Sequence, residues 1–195
     1  MQWKTVTGTF TVPTPSKPSG SSNEEYWAAS AWVGIDGDTC ETAILQTGID
    51  FIITDAGEYE YDAWYEWYPD YAYDFDLTVS AGDVIKTTVE ATSLKAGTAT
   101  IENVTTGKTV SISLTSSSSL CGENAEWIVE DFESGSELVA LADFGTVTFT
   151  DCSAATSETS EGVSDATVID IESDEGKVLT SVTLESSSEI VVTYV

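Results

Sequence analysis

The stretch Ala43-Ile44-Leu45-Gln46-Thr47-Gly48-Ile49-Asp50 carries an apolar run onto a neutral amide, with a Gly and a carboxylate close behind. An amide is no general base. Its NH2 group donates and its carbonyl accepts, so Gln46 suits holding an oxyanion or orienting a water. The proton must then be moved by another residue, and the chain contains no His. That absence excludes Ser-His-Asp and Cys-His catalysis and the usual His-bearing zinc sites. With only 6 Lys and Arg against 34 Asp and Glu, acid–base chemistry falls to carboxylates.

Three segments set acids and amides inside aromatic, apolar sequence, where a charge is costly unless it is paired or used. The first runs Trp32-Val33-Gly34-Ile35-Asp36-Gly37-Asp38-Thr39-Cys40 and leads into the Gln46 stretch. The second is Tyr61-Asp62-Ala63-Trp64-Tyr65-Glu66-Trp67-Tyr68-Pro69-Asp70. On a strand, Asp62, Trp64, Glu66 and Tyr68 share one face and Tyr61, Ala63, Tyr65 and Trp67 the other. That pattern fits a core strand with a wet outer side, and equally the floor of a groove for a peptide or a sugar. The third is Cys121-Gly122-Glu123-Asn124-Ala125-Glu126-Trp127-Ile128-Val129-Glu130-Asp131-Phe132-Glu133. Glu126, Glu130 and Glu133 have the spacing of a helical stripe, but they would repel there, and Trp-Ile-Val favours a strand. As a strand it mixes Glu126, Ile128, Glu130 and Phe132 on one face, which suits neither a pure core face nor a pure surface.

The elements that must position these groups read as strands. Alternation is clear in Thr5–Val12, Thr109–Leu114, Thr146–Thr150 and Glu189–Val195, with Thr or Ser on the outer face. Turn signals stand at Ala81-Gly82-Asp83, Thr106-Gly107-Lys108 and Asp174-Glu175-Gly176. Roughly twelve to fourteen short strands at this spacing predict an all-β, two-sheet antiparallel sandwich, and no stretch offers a long amphipathic helix. The segments Pro13–Asn23 and Ser153–Asp165 read as flexible loops within a single domain, 1–195. A chain of 195 residues with 41% hydrophobic content can build a real core. Its net charge of −28 argues against nucleic-acid and membrane partners, and predicts self-repulsion that fades in acid. Three separated cysteines form no CxxC motif. Asn103-Val104-Thr105 is a glycosylation sequon.

Taken together, "SAWVGIDGDTCETAILQTGID", "YDAWYEWYPDYAYDF" and "CGENAEWIVEDFESG" resemble the glutamic peptidases, or eqolisins, three long motifs in the right order. The resemblance spans Trp32 to Phe149 and continues more weakly to Val195. It implies an acid endopeptidase on a concanavalin- or lectin-like jelly roll of two seven-stranded antiparallel sheets, its groove crossing the concave sheet. It implies Gln46 and Glu130 as the catalytic pair, with Trp32, Asp36, Asp50, Asp62, Trp64, Glu66, Tyr68 and Glu133 at the substrate site and Glu126 in support. It implies a Cys40–Cys121 disulfide, which leaves Cys152 as a buried thiol, and a mobile flap after Tyr68. It further implies no metal and no cofactor, polypeptide substrates, a monomer, and a secreted, extracellular setting. Where such chains begin with a further strand, this one has only Met1-Gln2-Trp3-Lys4, so a bare sheet edge is expected there. Two rival readings of the residues are a sugar-binding module and a glycoside hydrolase using Glu66 and Glu130. Gln46 separates them, since a glycosidase has no need of it.

Overall fold

Period-two alternation of Val, Ile and Phe with Thr and Ser forms strands, because β-branched and aromatic side chains pack well on a pleated surface. The computed structural model describes residues 2–21, 24–135, 137–173 and 175–195. Its strands are β1 (Thr5–Thr11), β2 (Tyr26–Ile35), β3 (Ile44–Thr54), β4 (Tyr59–Tyr68), β5 (Tyr73–Asp74), β6 (Val84–Ser93), β7 (Ala96–Asn103) and β8 (Lys108–Thr115). They continue as β9 (Ala125–Glu130), β10 (Glu133–Ser134), β11 (Glu137–Leu138), β12 (Thr146–Ala155), β13 (Ser160–Glu161), β14 (Thr180–Ser186) and β15 (Glu189–Tyr194). No helix occurs among the described residues, and none is long and apolar enough to cross a membrane.

Two antiparallel sheets face each other. One runs β14-β15-β12-β1-β6-β7-β8, with β13 paired to β12, and the other runs β5-β4-β3-β2-β9. The expected sandwich is there, but with eight and five strands in place of seven and seven, plus a separate β10–β11 ribbon. Inward side chains alternate along every central strand. Phe10, Ile85, Ile101 and Phe149 from the larger sheet meet Ala29, Ala31, Ile49 and Phe51 from the smaller. The rings of Phe10 and Phe149 meet edge to face at 5.3 Å between centroids.

The bare sheet edge expected next to a missing first strand falls, among the described residues, on β9; β1 itself pairs with β12 on one side and β6 on the other, and Trp3 N–H reaches Gly122 O at 2.8 Å. One expectation needs correction. Ser153–Asp165 is only partly a loop, because Ser153 to Ala155 finish β12, and Ser160 and Glu161 fold back on Ala155 and Ala154 as β13. Alternating Ser, Ala and Thr there sustain a strand that composition alone reads as low complexity. The end of the Pro13–Asn23 segment and Asp174 of the third predicted turn lie outside the described residues.

Candidate active site

The site is laid out by register. In the five-stranded sheet β2 lies between β3 and β9, and β4 lies beyond β3. Gly34 stands opposite both Gln46 and Glu126, and Gln46 stands opposite Glu66. Two residues along, Trp32 faces Ile128 on one side and Gly48 on the other, and Gly48 faces Trp64. Two further along, Ser30 faces Glu130 and Asp50, and Asp50 faces Asp62. Since cross-strand partners share a face, these three rows form one surface on the side of the sheet away from the core. The strand reading of Asp62, Trp64, Glu66 and Tyr68 as one face therefore holds, with Ala63 and Trp67 buried on the other.

Glycine makes the middle row possible. A Cβ on Gly48 would lie 2.5 Å from Trp32 Cβ and 2.4 Å from Ala31 O, and one on Gly34 would lie 2.8 Å from Trp32 Cζ3. The Trp32 indole thus lies down over Gly34, beside Gln46, while its Nε1–H reaches across to donate to Glu130 Oε2 at 2.8 Å. One aromatic plate spans the gap between the amide and the acid. Trp64 on the next strand donates its indole N–H to Ser30 Oγ at 3.2 Å. Both indoles are almost fully buried, although they lie on the outer face.

Each member of the Gln46–Glu130 pair is fixed separately, and no hydrogen bond joins them among the described residues. Gln46 is 7% exposed, and its Nε2 donates to Glu66 Oε2 at 2.5 Å. That contact uses one of two amide hydrogens and sets which way the amide points. Gln46 Oε1 is buried without a partner. Burial pushes Glu130 above the ordinary carboxylate range; the Trp32 N–H pulls it back down and the charge of Glu133 adds to the rise. Glu66 is also raised, by burial first, with the Gln46 N–H opposing and the charges of Glu130 and Asp70 adding.

The surrounding acids divide into kinds. Asp50 is pushed up to about 7 by burial, against hydrogen bonds from Ser30 and Trp64, and Asp62 is raised by burial and by Asp74 and Glu60. Glu126 is pushed to about 7, again chiefly by burial, with Asp38, Asp36 and Glu130 nearby. Asp50 and Glu126 hold protons well above the usual range. Asp36 serves otherwise. It is fully buried, has φ +67°, and accepts backbone N–H groups from Cys121, Gly122, Glu123 and Asn124 at 2.7–3.3 Å. Its carboxylate folds the 121–124 turn that delivers β9. Tyr68 ends β4, 43% exposed, ahead of a cis Tyr68–Pro69 bond, and Glu133 is exposed just beyond Glu130 in β10.

Cys40 and Cys121 form a disulfide, tying the chain before Gln46 to the chain before Glu130, and Cys152 is a buried free thiol pushed up to about 12. The Asn103 sequon is closed off in the fold: the side chain is buried and its Nδ2 donates to Asp83 Oδ2 at 2.8 Å. The sequence motifs did not reveal the clamp of Glu66 on Gln46. Its only signal was the pairing of Gln46 and Glu66 as polar residues on outer strand faces, and register alone makes them neighbours.

The chain matches the Peptidase A4 family over residues 1–194. It is 56% identical to Aspergillopepsin-2 of Aspergillus niger over 97% of this chain and 72% of that protein. It is 49% identical to Scytalidopepsin B of Scytalidium lignicola over 86% of this chain and 64% of that protein. Among solved structures, aspergilloglutamic peptidase from Aspergillus niger superposes with a TM-score of 0.83 at 62% identity, over 87% of this chain and 99% of that one. Scytalido-glutamic peptidase, solved with a transition state analog inhibitor, gives 0.88 at 43% identity, over 100% and 93%.

Proposed function

We propose, from the premise that the chain belongs to the peptidase A4 family and is an acid endopeptidase of the glutamic type, that Glu130 and Gln46 form its hydrolytic pair. One observation carries this reading. The Glu130 carboxylate and the buried Gln46 amide lie on one face, each anchored by one hydrogen bond, from Trp32 and to Glu66, with Gln46 Oε1 left without a partner. Ionised Glu130 takes a proton from a water held near Gln46 Oε1, and the water oxygen attacks the scissile carbonyl carbon. The second hydrogen of Gln46 Nε2 donates to the oxyanion of the tetrahedral intermediate. Protonated Glu130 then gives its proton to the leaving amine as the C–N bond breaks, which regenerates the carboxylate. Trp32 supplies the N–H that favours the anion of Glu130, and Glu66 keeps the Gln46 amide turned the right way.

Peptides reach the pair along the face of Trp32, Trp64, Asp50 and Asp62, with Tyr68 and Glu133 at its margins. The solved relatives hold a transition state analog inhibitor and, in another case, the tripeptide Ala-Ile-His, which fits a groove for extended peptide. The enzyme acts as a monomer, as one domain of residues 1–195, outside the cell. A disulfide belongs in such an oxidising compartment.

The test is cleavage of a denatured protein in acid, with pepstatin present. Gln46→Ala should lose on the order of 10²–10³ in kcat, the usual cost of one oxyanion donor. Glu130→Gln should lose more, since it removes the only base. Pepstatin-resistant cleavage at near wild-type rate by Glu130→Gln would refute the assignment.

A further inference from the structure

Ser30 sits midway along β2, its side chain on the hydrolytic face and only 1% exposed. Its neighbours in the strand are Ala28, Ala29 and Ala31, all fully buried. A further alanine would pack there at less cost, since a buried hydroxyl is tolerated only where its hydrogen bonds are made. The hydroxyl therefore serves a network and not the packing. By register Ser30 stands between Glu130 of β9 and Asp50 of β3, and Asp50 stands opposite Asp62 of β4. These four residues form one row across the sheet, and Ser30 is the link between Glu130 and the two aspartates.

The hydroxyl is engaged from both sides. Trp64 Nε1–H donates to Ser30 Oγ at 3.2 Å, and the Asp50 carboxyl takes hydrogen bonds from Ser30 and Trp64. Asp50 is the group that this network holds. Burial pushes it up to about 7, the bonds from Ser30 and Trp64 oppose the rise, and the charges of Asp62 and Glu130 add to it. Asp62 in turn lies under the charges of Asp74 in β5 and Glu60 in β4. Every charge acting on Asp50 is thus negative. In acid Asp50 is neutral. Once it ionises, a second anion stands two strands from Glu130, about 10 Å away. At that separation two like charges disfavour one another by about tenfold at an effective dielectric near 20. The same anion opposes the oxyanion that builds on the scissile carbonyl.

We propose that Ser30 is a positioning residue of the peptidase reaction, tying the Asp50 carboxyl and the Trp64 indole into one unit beside Glu130, and that this unit turns the reaction off when Asp50 ionises. The proposal rests on the reading of Glu130 and Gln46 as the hydrolytic pair. It adds the group that closes the alkaline side of the pH profile, as Glu130 closes the acid side.

The test is the pH profile of kcat from pH 2 to pH 8 on a blocked peptide without ionisable side chains. It is run on the full chain at a temperature where near-ultraviolet circular dichroism shows each variant folded throughout. Each profile is scaled to its own maximum, so that only the positions of the limbs are compared. In Asp50→Asn the alkaline limb should move up by about one pH unit or more, with the acid limb in place. Ser30→Ala removes an O–H that favours the Asp50 anion, so its alkaline limb should also move up, with kcat about tenfold lower as the Trp64 indole loses its acceptor. Ser30→Thr keeps the hydroxyl and should return the limb to its wild-type position. A purely structural loss would lower the whole profile and leave both limbs where they are. An alkaline limb in Asp50→Asn that coincides with wild type would overturn the proposal, as would a Ser30→Ala profile that is lowered without being shifted. If Ser30→Ala does not fold, the near-isosteric Asp50→Asn decides alone. Failure of the hydrolytic pair itself shows elsewhere, as cleavage that survives Glu130→Gln.

Discussion

Glu66 touches the Gln46 amide, and that contact makes it a positioning residue. Glu66→Ala frees the amide to rotate, so kcat should fall about tenfold or more with KM little changed, and Glu66→Gln, which keeps an acceptor, should restore most of it. Steady-state kinetics on one peptide substrate separates the two variants. Trp32→Phe removes the N–H donated to Glu130 while keeping a plate over Gly34. Because that N–H favours the anion, its loss raises Glu130 further, and the acid limb of the kcat profile should move up by about one pH unit. A limb that stays in place would mean that another group titrates. Gln46 and the Glu130 segment were legible in the sequence as chemistry. The two anchors were not, because Glu66 and Trp32 lie 20 and 98 residues from the groups they hold.

The five-stranded sheet works as an element because its middle row is thin. Gly48→Ala would drive a methyl into Ala31 O and Trp32 Cβ, neither of which can move without breaking the β2–β3 ladder. The expected cost is about 2–4 kcal/mol by urea denaturation, with activity lost as Trp32 is displaced. The Cys40–Cys121 disulfide closes a loop across 81 residues, and removing it with Cys40→Ser and Cys121→Ser should cost about 4–5 kcal/mol. The Asp36 clamp on the 121–124 turn and the bonds from Thr39 to Glu123 and Asn124 would then hold that junction. Alternation in β1, β8, β12 and β15 was readable from sequence because each has one core face and one wet face. β2 is buried almost throughout, its outer face covered by its own Trp32 and by Trp64, so it reads as an apolar run with no facing direction.

For the whole molecule, burial raises Asp50 and Glu126 to about 7 and Asp131 to about 6. In the unfolded chain these groups titrate near 4. Between those limits the folded chain binds more protons than the unfolded one, so stability is greatest below about pH 4 and falls as pH rises toward 7. The net charge of −28 acts in the same direction, through repulsion that grows as the remaining acids ionise. A series of melting curves should therefore show Tm decreasing from pH 4 to pH 7. Added salt should recover part of the loss at pH 7 and little at pH 4. Asp50→Asn should raise Tm at pH 7 by about 2–8 °C and leave pH 3 nearly unchanged. A Tm maximum at or above pH 7 would refute the acid-stable reading.

Sequence by itself determined the chemistry available and the class of fold. Residue type fixes which groups can titrate, and the absence of His leaves carboxylates and amides as the active groups. Period-two alternation fixes strands, because it is a local property of each segment. Only the tertiary structure decided which groups meet. Gln46, Trp32, Glu130 and Glu66 share a surface because β9, β2, β3 and β4 pair in one register, and a slip of one residue would turn each to the opposite face. It also decided that Asp36, which in sequence looks like a site residue, is consumed by four backbone N–H groups.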